Sequence, residues 1–164
     1  VIHTVNGIPA MEYLESIGLN KEDLKISGSF PLVLDYNDGG QPVGRGIYTV
    51  ADNRDVYCGG DAPVGASLST AILNDEDVLR SAGQLAEAIR AQPEPGALLL
   101  LSCISRSLLL GSNPLGEVER LDSVIGGGIP YHMSYSGGEI CPVYTDSGAT
   151  ANRFHNFTLI ACVL

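Results

Sequence analysis

Basic residues are scarce in this chain. Nine lysines and arginines stand against nineteen aspartates and glutamates in 164 residues, a formal net charge of −10. A nucleic-acid binder meets phosphates with a basic surface, and an anionic membrane surface makes the same demand, so neither is expected as a partner. Charged residues of both signs are only 17% of the chain and hydrophobic ones 45%, a balance that buries a core instead of leaving a disordered chain. Long hydrophobic runs are missing. The longest, 97–101 and 157–164, fall short of the ~20 residues that cross a bilayer. No basic segment followed by an apolar stretch marks a signal peptide. The chain opens on Val1-Ile2-His3-Thr4-Val5 without an initiator Met. The expectation is a domain cut from a longer polypeptide, with a processed secreted protein as the alternative.

Catalytic and cofactor signatures are missing too. Cys58, Cys103, Cys141 and Cys162 form no C-x-x-C pair, which removes the main signal for a zinc ribbon or a thioredoxin-like site. Their even number permits two disulfides, but each sits among apolar or strand-like neighbours, where a free thiol behaves as a small hydrophobe. A reduced, cytoplasmic protein is expected. Lys21 and Lys25 are the only lysines, and no phosphate-binding loop contains either. Gly126-Gly127-Gly128 leads into Ile129-Pro130-Tyr131, a strand-like segment and not a helix, so it is no dinucleotide fingerprint. There is no G-x-S-x-G, and the three histidines have no H-x-x-x-H spacing. No cofactor, no metal and no enzymatic activity are expected. Asn156-Phe157-Thr158 spells a glycosylation sequon, but its place in an apolar strand predicts that it stays unmodified.

What is present is turn chemistry and amphipathic pattern. Asn6-Gly7 is a turn, Pro9 opens a helix over 8–18 with Met11, Leu14 and Ile17 on one face, and Gly18 closes it. Strands are predicted over 30–34, 45–50, 56–58 and 66–73. Asn74 or Asp75 caps a helix carrying Val78, Ala82, Leu85 and Ile89, with acids in its first turn and Arg90 in its last. The run 97–104 reads as a strand covered on both faces. Asn113-Pro114 opens a third helix that the glycines at 126–128 end. Strands follow over 129–134, 139–144 and 154–164, the last with Phe154, Asn156, Thr158, Ile160 and Cys162 on one face. The expected fold is one α+β domain spanning 1–164, a largely antiparallel sheet of about seven strands with about three helices packed against it.

Arg106 stands out. It lies between Leu98–Leu101 and Leu108–Leu110, and a buried guanidinium needs an anionic acceptor. Glu117 and Glu139 are its candidate partners. Two readings stay open: an internal Arg–Glu pair, or a site in which Arg106 holds a ligand carboxylate while Glu139 or Glu117 holds a cationic group. Cys103 could serve as a nucleophile with His132 or His155 as base, or simply be a buried structural thiol. Asn156 and Thr158 either line a pocket or face solvent.

Several segments resemble the C-terminal domain of FIST (F-box and intracellular signal transduction) proteins. Val5-Asn6-Gly7-Ile8-Pro9-Ala10-Met11-Glu12-Tyr13-Leu14 is similar to its opening motif, and Phe30-Pro31-Leu32 through Arg45-Gly46-Ile47 to a second. Leu100-Leu101-Ser102-Cys103-Ile104-Ser105-Arg106, then Leu109-Leu110-Gly111 and Glu117, resemble a third, and Gly137-Gly138-Glu139-Ile140 and Asn156-Phe157-Thr158-Leu159 the last two. Leu101 stands where an aromatic is usual, and Tyr135-Ser136-Gly137 departs from an aromatic followed by T-x-G. The resemblance implies a cytoplasmic sensory domain that binds a small molecule such as an amino acid, beside an N-terminal FIST domain or a signalling output domain. It points to Cys103, Arg106, Glu117, Gly138, Glu139, Asn156 and Thr158 as ligand-binding residues. A non-catalytic interaction or scaffold domain, as in F-box proteins, is the alternative, and a cysteine-dependent enzyme a third.

Overall fold

The computed structural model describes residues 1–25, 30–93 and 95–164. In chain order the elements are β1 (Thr4–Val5), β2 (Ile8–Pro9), α1 (Ala10–Ser16), a 3-10 turn at Asp23–Lys25, β3 (Leu32–Asp35), β4 (Val43–Arg45), β5 (Ile47–Val50), β6 (Val56–Cys58) and β7 (Ser67–Thr70). There follow α2 (Asp75–Arg90), β8 (Leu98–Cys103), α3 (Ile104–Leu109), α4 (Gly116–Ile125), β9 (Tyr131–Ser136), β10 (Glu139–Tyr144), β11 (Thr150–His155) and β12 (Leu159–Val163). The fold is α+β and mostly antiparallel, as the sequence predicts. Its strands form five small sheets among the described residues in place of one sheet of seven. Two compact units result: Val1–Ile72 with Ile140–Asn156, and Leu73–Glu139 with Phe157–Leu164.

In the first unit β3 is flanked by β4 and β7, both antiparallel, with Leu32 opposite Arg45 on one side and Thr70 on the other. Ile2, Met11, Leu14, Leu32 and Val56 form one apolar cluster, and Leu34, Val43 and Val143 a second. The first helix is shorter than its pattern predicts. Asn6 and Gly7 both take positive φ, 54° and 79°, as a two-residue hairpin turn requires. That turn pairs Ile8 and Pro9 back onto β1 before the helix begins. The predicted strand 45–50 is cut at Gly46, whose N–H donates to Asn156 Oδ1 at 2.9 Å.

The second unit is built on β8, antiparallel to β12 and parallel to β9. The parallel pair, not foreseen, follows from its connection: α3 and α4 carry the chain from Cys103 to Tyr131, the helical crossover that parallel neighbours need. α2 starts as predicted. Asn74 and Asp77 form a reciprocal capping box, each side chain accepting from the other's backbone N–H. Ala82, Ala86 and Ile89 pack with Leu98, Leu100, Leu121 and Ile125. β8 is not buried on both faces as expected: Leu98 and Leu100 are buried, while Leu99 is 36% exposed. α4 ends at Gly126, left-handed at φ 74°. The predicted strand 154–164 breaks into β11 and β12 because Phe157 sits at φ 65°. No described helix is long and apolar enough to cross a membrane.

Candidate functional site

β8 runs straight into α3, so Ser102, Cys103 and Arg106 leave one strand–helix junction on the second unit. α4 begins ten residues beyond Arg106, with Glu117 in its first turn. Burial forces the two charges together. Arg106 Nε donates to Glu117 Oε1 at 2.7 Å, and Nη2 to the same oxygen at 2.5 Å. Ser102 Oγ donates to the other carboxylate oxygen at 2.8 Å. The remaining guanidinium contacts are backbone and hydroxyl: Val78 O at 3.2 Å, Ser81 Oγ at 3.0 Å and Phe157 O at 3.3 Å. Glu117 is fully buried and Arg106 nearly so, at 5%. The structure therefore places Arg106 in an internal ion pair. The carboxylate-holding role considered for it, and the amine-holding role considered for Glu117, give way to that pairing, because each charge already satisfies the other in a dry environment.

Glu139 is arranged differently. It opens β10 directly after Gly138, which contributes backbone only, and it is 3% exposed. Oε1 accepts from Ser136 Oγ at 2.6 Å and Oε2 from Thr158 Oγ1 at 2.8 Å. Among the described residues no cation pairs with it. Burial raises its pKa above the ordinary carboxylate range, against the pull of the Ser136 and Thr158 hydroxyls and of Arg106, while the Glu117 charge raises it further. Thr158 is itself anchored, its carbonyl accepting from Cys103 N–H at 2.9 Å. The left-handed Phe157 immediately before it is costly for a bulky side chain, a conformation kept where surrounding structure over-determines it.

Cys103 is buried at the N-terminus of α3. His132 does not approach it: the register of β8 and β9 pairs His132 with Leu99 and Cys103 with Ser136. Four residues of strand separate them, or about 13 Å at ~3.3 Å per residue. His132 Nε2 lies 3.1 Å from Ser134 Oγ instead. All four cysteines are free thiols. Among the described residues no group of three His, Cys, Asp or Glu is placed to hold a metal ion.

Asn156 belongs to the first unit. It does not share a strand face with Thr158, since the turn at Phe157 separates them. Its Oδ1 accepts from Gly46 and its N–H donates to Gly44 O at 3.4 Å, so it ties the β4–β5 junction to the end of β11. At 3% exposure the sequon asparagine is out of reach of a modifying enzyme.

The first unit also holds a buried basic cluster that sequence reading did not assemble, His155 having been considered only as a base for Cys103. Arg45 is wholly buried and donates to Asp61 O, Asp61 Oδ1, Gly44 O, Phe154 O and the Tyr36 hydroxyl. Arg153 meets Asp38 at 2.6 and 2.5 Å and lies 4.6 Å from the Tyr36 ring centroid. His155, two residues on and on the same face of β11, keeps Nε2 buried with no hydrogen-bond partner among the described residues. Burial depresses its pKa, with help from Arg45 and Arg153 and against a Cys141 backbone bond. The available signal was the placing of Arg153 and His155 at alternate positions of one strand, on the same face.

The described residues of this α+β fold thus bring together one closed ion pair, Arg106 with Glu117, and one buried carboxylate, Glu139, held by two hydroxyls. The chain belongs to the FIST C domain family, whose model matches residues 9–142. It is thus a sensory domain of the signal-transduction type. Neither a comparison with curated proteins nor one with solved structures gives a match.

Proposed function

We propose that this domain senses a small ligand through Glu139, which meets a cationic group of that ligand. One observation carries the reading: among the described residues, the close partners of the buried Glu139 carboxylate are two neutral hydroxyls. An isolated buried charge costs several kcal/mol, and a ligand cation removes that cost. The ammonium half of an amino-acid ligand fits this reading, with Thr158 supplying a hydrogen bond. The carboxylate half has no partner in Arg106, which is engaged by Glu117. Ligand binding then favours one arrangement of the domain against its neighbours, an N-terminal FIST domain or an output module in the cytoplasm, by population shift.

A thermal-shift screen with amino acids and simple amines tests the reading. A ligand at a hundred times its dissociation constant adds about 2.7 kcal/mol of stability. No shift with any amine or amino acid removes the reading. The closed Arg106–Glu117 pair favours a second reading, an interaction or scaffold domain in which the polar cluster is internal architecture. A blank screen with retained partner binding would establish it.

A further inference from the structure

The charges around Glu139 form a count that sets what can enter. Arg106 on α3 carries +1, Glu117 on α4 carries −1, and the two are sealed against each other. Tyr135 faces them from β9, its phenol pushed up by burial and by the Glu117 charge, and so neutral. Ser136 and Thr158 are neutral hydroxyls. Among the described residues, an ionised Glu139 therefore leaves this group with an uncompensated −1. Two occupants cancel it: a proton, or a monocation.

We infer, on the basis of the ligand reading above, that Glu139 holds a proton when the site is empty and that the ligand enters as a primary ammonium in exchange for that proton. The step balances as R–NH3+ plus Glu139–COOH giving R–NH3+ paired with Glu139–COO−, plus one H+ released to solvent. No covalent bond to carbon forms or breaks. The geometry suits both states. A protonated carboxyl donates to either hydroxyl oxygen, because Ser136 Oγ and Thr158 Oγ1 rotate between donor and acceptor roles. An ionised carboxylate accepts from both, as the distances of 2.6 and 2.8 Å record, and keeps lone pairs for an ammonium. The charge count also sets specificity. A zwitterion brings its own −1 and restores the imbalance, so a simple primary amine binds more tightly than the amino acid with the same side chain. The sensor's output is then coupled to pH.

The test uses the whole chain and two probes, ethylammonium and glycine. In the empty protein an infrared carboxylic-acid C=O stretch is expected that fades as pH is raised through the titration of Glu139 and is absent in Glu139→Gln. Ethylammonium abolishes that stretch and releases one proton per molecule bound, read with an indicator dye in weak buffer. Its affinity rises about tenfold per pH unit below the titration of Glu139 and levels off above it. Thr158→Val removes a donor to the ionised form, so the midpoint moves to higher pH. That variant keeps the test alive if Glu139→Gln fails to fold. Ethylammonium binding without proton release, or glycine binding more tightly than ethylammonium, overturns the exchange and leaves the ligand reading standing. Absence of any binding overturns both.

Discussion

Arg106 Nε donates to Glu117 Oε1 across 2.7 Å, and neither residue reaches solvent to any useful extent. The pair closes β8, α3 and α4 around Ser102. Removing one member leaves the other charge buried and alone. Arg106→Met or Glu117→Leu is expected to cost about 3–5 kcal/mol, and the double substitution much less, because a buried pair replaced by apolar groups is often neutral. Urea unfolding midpoints measure this. Equal losses in the single and double variants would show that the two side chains are not coupled.

His155 predicts a pH dependence of opposite sign to that of Glu139. Its folded-state pKa lies below the ordinary value of 6.5, so below that pH the unfolded chain binds the proton more readily. The associated stability is complete above 6.5 and falls as pH drops through the window beneath it. Glu139, whose pKa is raised, makes the fold lose stability as pH rises above about 4.5. His155→Leu should flatten the acid side of the stability profile, and Glu139→Gln the neutral side. A profile unchanged by either substitution contradicts the assigned burial.

Phe157 holds a left-handed backbone at φ 65°. Glycine adopts that conformation without penalty, and other residues pay about 1–2 kcal/mol. Phe157→Gly and Phe157→Ala both lose the ring, so their difference isolates the backbone. The glycine variant should be the more stable by about 1 kcal/mol in thermal unfolding. The reverse order would mean that the turn relaxes when the ring is gone.

Asn74 begins α2 with a capping box to Asp77. Asn74→Ala should cost about 1 kcal/mol. Asp77→Ala should cost a similar amount, since it removes the reciprocal bond to Asn74 N–H at 3.2 Å. Denaturant titration checks both. No loss in either variant would place the α2 boundary elsewhere.

The helix from Asn74 to Arg90 was legible because cap, charge gradient and apolar period agree there. The strands near 56–58 and 98–103 were legible from composition alone. Gly46 and Phe157 each interrupt a run that local pattern reads as continuous. One interruption is imposed by Asn156, 110 residues distant in sequence, and the other by a backbone angle that no local pattern marks. Arg106 was legible as a buried charge in need of an acid, and an internal Arg–Glu pair was one of its two readings. Spacing gave Arg106 two acids, and only the α3–α4 turn decides that Glu117 is the one it reaches. His155 was read only as a possible base for Cys103 and Arg45 only as part of a motif; their cluster with Arg153 was not legible, because it needs strands brought together from both ends of the chain.

The most direct test of the Glu139 assignment is the stabilisation by ethylammonium of the native chain and of Glu139→Gln, compared near pH 8. The native chain should gain about 2.7 kcal/mol at a hundred times the dissociation constant, and the variant nothing measurable. Equal stabilisation of both would place the ligand's cation elsewhere and contradict the account.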